Sequence, residues 1–129
     1  MPVNETPLNS AIFDQLRLAM AGDPVGLADL YRDYLADAWQ SFQVLRENVV
    51  KREFSTVRAK AHQLKGSSLI LGAHGVAHYA TLLENGAIEK NLADAGAALE
   101  GMQTTLRDVQ LELVNRLGPR VLPAGETAA

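Results

Sequence analysis

In five successive segments of this chain the apolar residues recur at intervals of three and four rather than two, a period that restricts the fold to packed helices. The first segment, about residues 10–21, carries Phe13, Leu16 and Met20 on one side and stops at Gly22. Asp23 followed by Pro24 reads as an N-cap with proline at the first helical position, where its missing N–H costs nothing. This opens a long second segment to about residue 51, with Leu27, Leu30, Tyr34, Ala38, Phe42, Leu45 and Val49 as its buried stripe. Phe54, Val57, Ala61, Leu64, Ser68 and Leu71 form the seam of the third, which ends at Gly72. The fourth, about residues 73–89, offers Val76, Ala80, Leu83 and Ala87. Asn91 begins the fifth, with Leu92, Ala95, Leu99, Met102, Leu106, Val109 and Leu113. Four long segments with short links predict an all-α fold, an up-down four-helix bundle with the short first helix as a cap across one end. Residues 1–9 are expected to be a flexible N-terminus and 10–117 the bundle. Residues 118–129, GPRVLPAGETAA, lack a period and are expected to be a disordered tail.

Composition narrows the function. A chain of 129 residues is one ordinary domain, and 47% apolar residues suffice for a core. Charged residues make up 21%, the net charge is -3, and the basic residues are scattered, which argues against nucleic-acid binding. The absence of cysteine removes disulfides, thiolate zinc sites and cysteine nucleophiles. No apolar stretch approaches the roughly 18 residues of a membrane span, and MPVNETPLNS has no signal-peptide pattern. A cytoplasmic location with no membrane contact is expected.

His62 is the residue that points to chemistry. At about 100° per residue it lies roughly 130° from the centre of the stripe formed by Ala61 and Leu64, so it is predicted to face water. Arg58, Ala59, Lys65, Gly66 and Leu69 share its outer face. Glycine inside an exposed helix costs about 1 kcal/mol relative to alanine, so Gly66 gains the helix nothing. A bare backbone beside an imidazole lets another molecule come close to the ring, and Lys65 adds a positive charge within reach of an anion there. Imidazole is a nucleophile in its neutral form near neutral pH, and the set suits a phosphoryl group. A surface histidine beside a tolerated glycine is the plainer alternative.

The run AHQLKGSSLILGAHGVAHYATLLE, residues 61–84, resembles the signature of the histidine-containing phosphotransfer (HPt) domain, in which histidine is followed by leucine, lysine and glycine, then serine, glycine-alanine and leucine-glutamate. Upstream, FDQLRLAMAGDP and LYRDYLADA are similar to that family's first two helices. The resemblance implies that His62 is phosphorylated, Lys65 is its electrostatic neighbour and Gly66 gives access, with Gln63, Ser67 and Ser68 flanking. Gly72 and Ala73 match the turn between the third and fourth helices, and Leu83 with Glu84 match the leucine-glutamate pair. Leu69 and Ile70 depart from the small residue and asparagine more usual there, a change that bears on partner identity because Leu69 is expected on the docking face. The implied protein is a monomeric phosphocarrier rather than an ATP-dependent kinase. Its partners would be response-regulator receiver domains and a hybrid sensor histidine kinase, contacted through Arg58, Ala59, Gln63, Ser67 and Leu69. It would need no cofactor of its own, the receiver supplying magnesium. A helical adaptor that binds receivers or partner helices without phosphotransfer is the rival from another class.

The remaining constellations are weak. His74 and His78, four apart, could present two imidazoles to a metal, but a third ligand is missing and a surface pair is the better reading. Ser68 falls on the buried stripe, and no base is placed to activate Ser67. Asp14, Asp29, Asp33 and Asp37 read as a solvated face. Tyr31, Tyr34, Trp39 and Phe42 read as core or capping residues. The fold is therefore expected to be independent of metal: a chelator should leave the thermal melting curve unchanged, and a loss of helicity restored by zinc would revive the His74 and His78 site.

Overall fold

The computed structural model describes residues 7–123, and these form five helices: α1 (Ser10–Ala19), α2 (Pro24–Val50), α3 (Phe54–Ile70), α4 (His74–Ile88) and α5 (Leu92–Leu117). Among the described residues there is no strand, and no helix is long and apolar enough to cross a membrane. Side chains cap three of the helix starts. Asn9 accepts from the Ile12 N–H at 2.9 Å, Asp23 from Gly26 at 2.9 Å and Asn91 from Asp94 at 3.0 Å, each satisfying an amide with no partner inside the helix. Pro24 occupies the first position of α2.

The stops are equally local. α2, α3 and α4 each end on a residue with left-handed backbone, Arg52 (φ 58), Gly72 (φ 81) and Lys90 (φ 54). At each, two reverse hydrogen bonds close the helix. Glu53 N–H donates to Asn48 and Arg52 N–H to Val49; the pairs at the other two ends are Ala73 to Ser68 with Gly72 to Leu69, and Asn91 to Gly86 with Lys90 to Ala87. Only Gly72 takes this conformation without strain. For a side-chain-bearing residue the left-handed region costs about 1–2 kcal/mol.

These tight turns lay successive helices side by side, so that α3 packs against α2 and α4, and α5 against α4 and α2. The core between them holds Tyr31, Leu35, Phe42 and Leu45 from α2, Val57, Ala61 and Leu64 from α3, Val76, Ala80 and Leu83 from α4, and Met102, Leu106, Val109 and Leu113 from α5. Two residues of the predicted seams lie outside it. Leu30 is 36% exposed and Leu92 40% exposed. In the first part of α2 the inward positions are Leu27, Ala28, Tyr31, Tyr34 and Leu35, where α1 and the segment after α5 pack. The Phe13 ring lies 5.7 Å from that of Tyr31, and Arg116 of α5 stacks over Phe13 at 4.9 Å.

The two expected termini are shorter than the sequence suggested. Leu8 is buried, and Asn9 N–H donates to the Gly72 carbonyl at 2.7 Å, so this part of the predicted flexible N-terminus is fixed to the α3–α4 turn. Of the predicted disordered tail, Pro119–Val121 form a 3-10 turn whose Val121 is fully buried against α2 and α5. Arg120 clasps Asp29 of α2 with its Nε at 3.0 Å. Two buried residues, Val121 and Pro123, and one ion pair anchor a stretch without periodicity. Residues 1–6 and 124–129 of those two expectations lie outside the described residues. Val121→Ala is expected to cost about 2 kcal/mol in urea unfolding, and a change near zero would show that the segment contributes nothing to the core.

Candidate functional site

α3 turns Val57, Ala61, Leu64 and Ser68 inward, and so His62 outward. Two tyrosines of α2 fix that rotation at the C-terminal end of the helix. The Tyr34 hydroxyl lies 2.6 Å from Ser68 Oγ, and Tyr31 donates to the Leu71 carbonyl at 2.9 Å. Burial pushes the Tyr31 phenol up to about 12, slightly offset by the nearby Arg116 charge, and raises that of Tyr34 as well, so both keep their protons. The His62 side chain is 68% exposed, as the helical phase requires.

The site's third member comes from α4. Glu84 sits across the helix pair with one carboxylate oxygen for each neighbour: Oε2 is 3.0 Å from His62 Nδ1, and Oε1 accepts from Lys65 Nζ at 3.2 Å. The Glu84 side chain is only 15% exposed and that of Lys65 27%. Partial burial raises the Glu84 carboxyl, but the hydrogen bond and charge of Lys65, followed by those of His62, outweigh it and hold the group below the usual carboxylate range. An ionised carboxylate can only accept, so Nδ1 is the donor in this contact, and the neutral form of the ring that makes it carries its lone pair on Nε2. The leucine-glutamate pair of the sequence resemblance included Glu84 without giving it a contact. The available signal was phase: Glu84 follows the buried Leu83 by one residue, at the edge of the α4 seam.

The structure places the other predicted residues around this triad. Arg58, Ala59 and Gln63 are exposed on α3, and Leu69 is 47% exposed two turns beyond His62. Ser67 donates to the Leu64 carbonyl at 3.1 Å. A Cβ built on Gly66 would meet nothing within 4 Å, so the glycine relieves no internal clash. Arg58, Ala59, His62 and Glu84 line a groove between α3 and α4. Ser67 and Ile70 line a shallower depression toward α2, with Leu30, Asp33 and Asp37. His74 and His78 are elsewhere. His74 Nδ1 lies 3.5 Å from the Asn9 amide, and the His78 ring meets Tyr79 edge-on at 4.9 Å. Among the described residues no three histidine or acidic side chains converge as metal ligands.

A family model described as the Hpt domain matches residues 29–114, more than half of the chain. The fold is similar to that of histidine-containing phosphotransfer protein B (HptB) from Pseudomonas aeruginosa PAO1, at a TM-score of 0.78 and 22% identity over 86% of this chain and 94% of that one. A rice protein described as a histidine-containing phosphotransfer protein gives a TM-score of 0.79 and 20% identity over 91% of this chain and 85% of that one. No curated protein matches the sequence. At such identities the two structures speak for the fold, all-helical and shared with them, while the match over residues 29–114 assigns the sequence: the chain belongs to the Hpt domain family.

Proposed function

We propose that this protein is the phosphocarrier of a multistep phosphorelay, with His62 taking a phosphoryl group from the phosphoaspartate of one receiver domain and passing it to the aspartate of another. The first receiver would belong to a hybrid sensor histidine kinase and the second to a response regulator, all in the cytoplasm. The helices α2–α5 serve as an up-down bundle capped by α1, a rigid monomeric platform. The observation that carries this reading is the His62–Glu84 contact of 3.0 Å, which turns an exposed imidazole into a nucleophile of defined tautomer.

The step follows from that geometry. The Nε2 lone pair attacks phosphorus, the N–P bond forms as the P–O bond to the aspartyl carboxylate breaks, and the electron pair leaves with the carboxylate. The Nδ1 proton stays, and the positive charge the ring acquires faces the Glu84 carboxylate. Lys65 spends one of its three N–H donors on Glu84 and has two left for phosphoryl oxygens. Gly66 keeps the outer surface low, so that a receiver's loops can bring phosphorus to about 3–3.5 Å from Nε2. Magnesium comes with the receiver. Arg58, Ala59, Gln63, Ser67 and Leu69 surround the reacting atom as the surface that the receiver covers.

His62→Gln is expected to fold normally and carry no phosphoryl group, whereas the parent yields an acid-labile, alkali-stable phosphohistidine. Label that survives on the variant, or resists acid, would place the chemistry elsewhere. Gly66→Ala should stabilise α3 by up to about 1 kcal/mol, while Gly66→Gln slows single-turnover transfer and leaves the melting curve intact. Lys65→Ala should slow transfer without obstructing approach.

Glu84→Ala removes a charge-assisted hydrogen bond worth about 1.5–3 kcal/mol and should slow transfer roughly 10- to 100-fold. Because the folded-state pKa of Glu84 is lowered, its contribution to stability is complete above the ordinary carboxylate value of about 4.3 and is lost as pH falls through the lower folded value. The stability difference between the parent and Glu84→Gln, read from urea melts, should therefore shrink on acidification below about pH 4; a constant difference would mean that Glu84 ionisation is not coupled to folding.

A further inference from the structure

The groove between α3 and α4 begins at His62 and runs to the turn between α4 and α5. It holds about 610 Å³, with Phe54, Ala59, Ala87 and Ile88 forming its apolar walls and Arg58 and Lys90 its cations. Ile88 is 54% exposed, although it sits beside the core residue Ala87. Glu84 is the acid in the lining, and both its oxygens are taken by His62 and Lys65. Arg58 and Lys90 make no ion pair among the described residues. The groove's available charge is therefore positive.

Lys90 adds a second observation. Its left-handed backbone, φ 54, is a conformation in which glycine would be less strained, as at the corresponding Gly72. Two reverse hydrogen bonds hold the turn, so the lysine emerges from a fixed position at the far end of the groove. Arg58 stands one turn before His62, on the wall nearest the reacting ring.

We propose that this groove receives a segment of the receiver domain carrying an apolar side chain and a carboxylate. The apolar group lies over Ala87 and Ile88 and the carboxylate between Arg58 and Lys90, so these residues select which receivers exchange with His62. The inference rests on the phosphocarrier reading and deepens it. A receiver is the occupant favoured by position, because any molecule that brings an aspartate to Nε2 covers the mouth of the groove, and by charge, because two unpaired cations attract an acidic segment.

The test is single-turnover transfer to the full chain from a panel of purified receiver domains labelled with acetyl phosphate and freed of it. The double variant Arg58→Glu/Lys90→Glu is expected to slow transfer about tenfold or more at subsaturating receiver, to change it little at saturation, and to flatten its dependence on salt. In a charge-reversal scan of the receiver's exposed acids, one Asp or Glu→Lys change should restore transfer to that variant. Ile88→Ser should slow transfer with the salt dependence kept. Lys90→Gly separates docking from folding: it should raise the melting temperature and still slow transfer, whereas a purely structural lysine would give no slowing. Acylation of His62 by diethyl pyrocarbonate, followed by peptide mass, reads the ring's own reactivity and should match the parent in Ile88→Ser and Lys90→Gly, whose changes lie away from the ring. Transfer to the double variant at the parent rate and salt dependence, from every receiver that charges the parent, overturns the proposal. So does a concentration-dependent dimer of the parent that the double variant abolishes, which would give the groove to a second copy. If no receiver charges the parent, the phosphocarrier reading itself fails, and the parent control makes that failure distinct.

Discussion

The packing of α3 on α4 is the constraint on which the rest of the site depends. Val57, Ala61, Leu64 and Ser68 on one helix and Val76, Ala80, Leu83 and Ala87 on the other are all buried. The small residues among them, Ala61, Ser68, Ala80 and Ala87, let the two helices approach closely. Close approach and a fixed register bring one carboxylate to two side chains of the opposite helix. A slip of a single turn, about 5.4 Å, would take Glu84 beyond hydrogen-bonding reach of both His62 and Lys65. The tautomer of His62 is thus decided by apolar packing on the opposite side of the helix from the ring.

The register has its own supports. Ser68 continues the seam and takes the Tyr34 hydroxyl, so a polar residue inside the core is satisfied while tying α3 to α2. Gly72 allows the chain to reverse within three residues, and its carbonyl and conformation also seat the N-terminal segment, since a Cβ there would press on Ile12 at 3.2 Å. The turn that starts α4 and the turn that anchors the approach to α1 are therefore the same backbone. Fixing this end leaves the exposed faces free to differ: an apolar and cationic groove toward α4, and on the α2 side a shallower surface bordered by Asp33 and Asp37.

The electrostatics match the packing. Glu84 is partly withdrawn from water, yet its carboxyl is held low because a lysine and an imidazole both donate to it. A buried acid without those partners would be pushed the other way. Lys65, about one-quarter exposed, balances the carboxylate that it shares with the exposed His62 ring.

The sequence by itself determined most of the residues that turn inward and where the chain turns. Helical period is a local property, so the five helices, their short links and the outward phase of His62 were legible from spacing alone, and Gly66 stood out because an exposed helix has no use for it. The order of residues in AHQLKGSSLILGA carried the family. Register between helices is not local, and no spacing within α3 or α4 says which residue of one faces which residue of the other. The Glu84 contacts, the groove that ends at Lys90 and the exposure of Leu30 were decided only when the helices packed. Val121 makes the same point. It lies in a stretch with no period, among prolines and a glycine, and it is buried because α2 and α5 leave a space that one valine fills, a fact set by the shape of the core and not by the neighbours of Val121 in the chain.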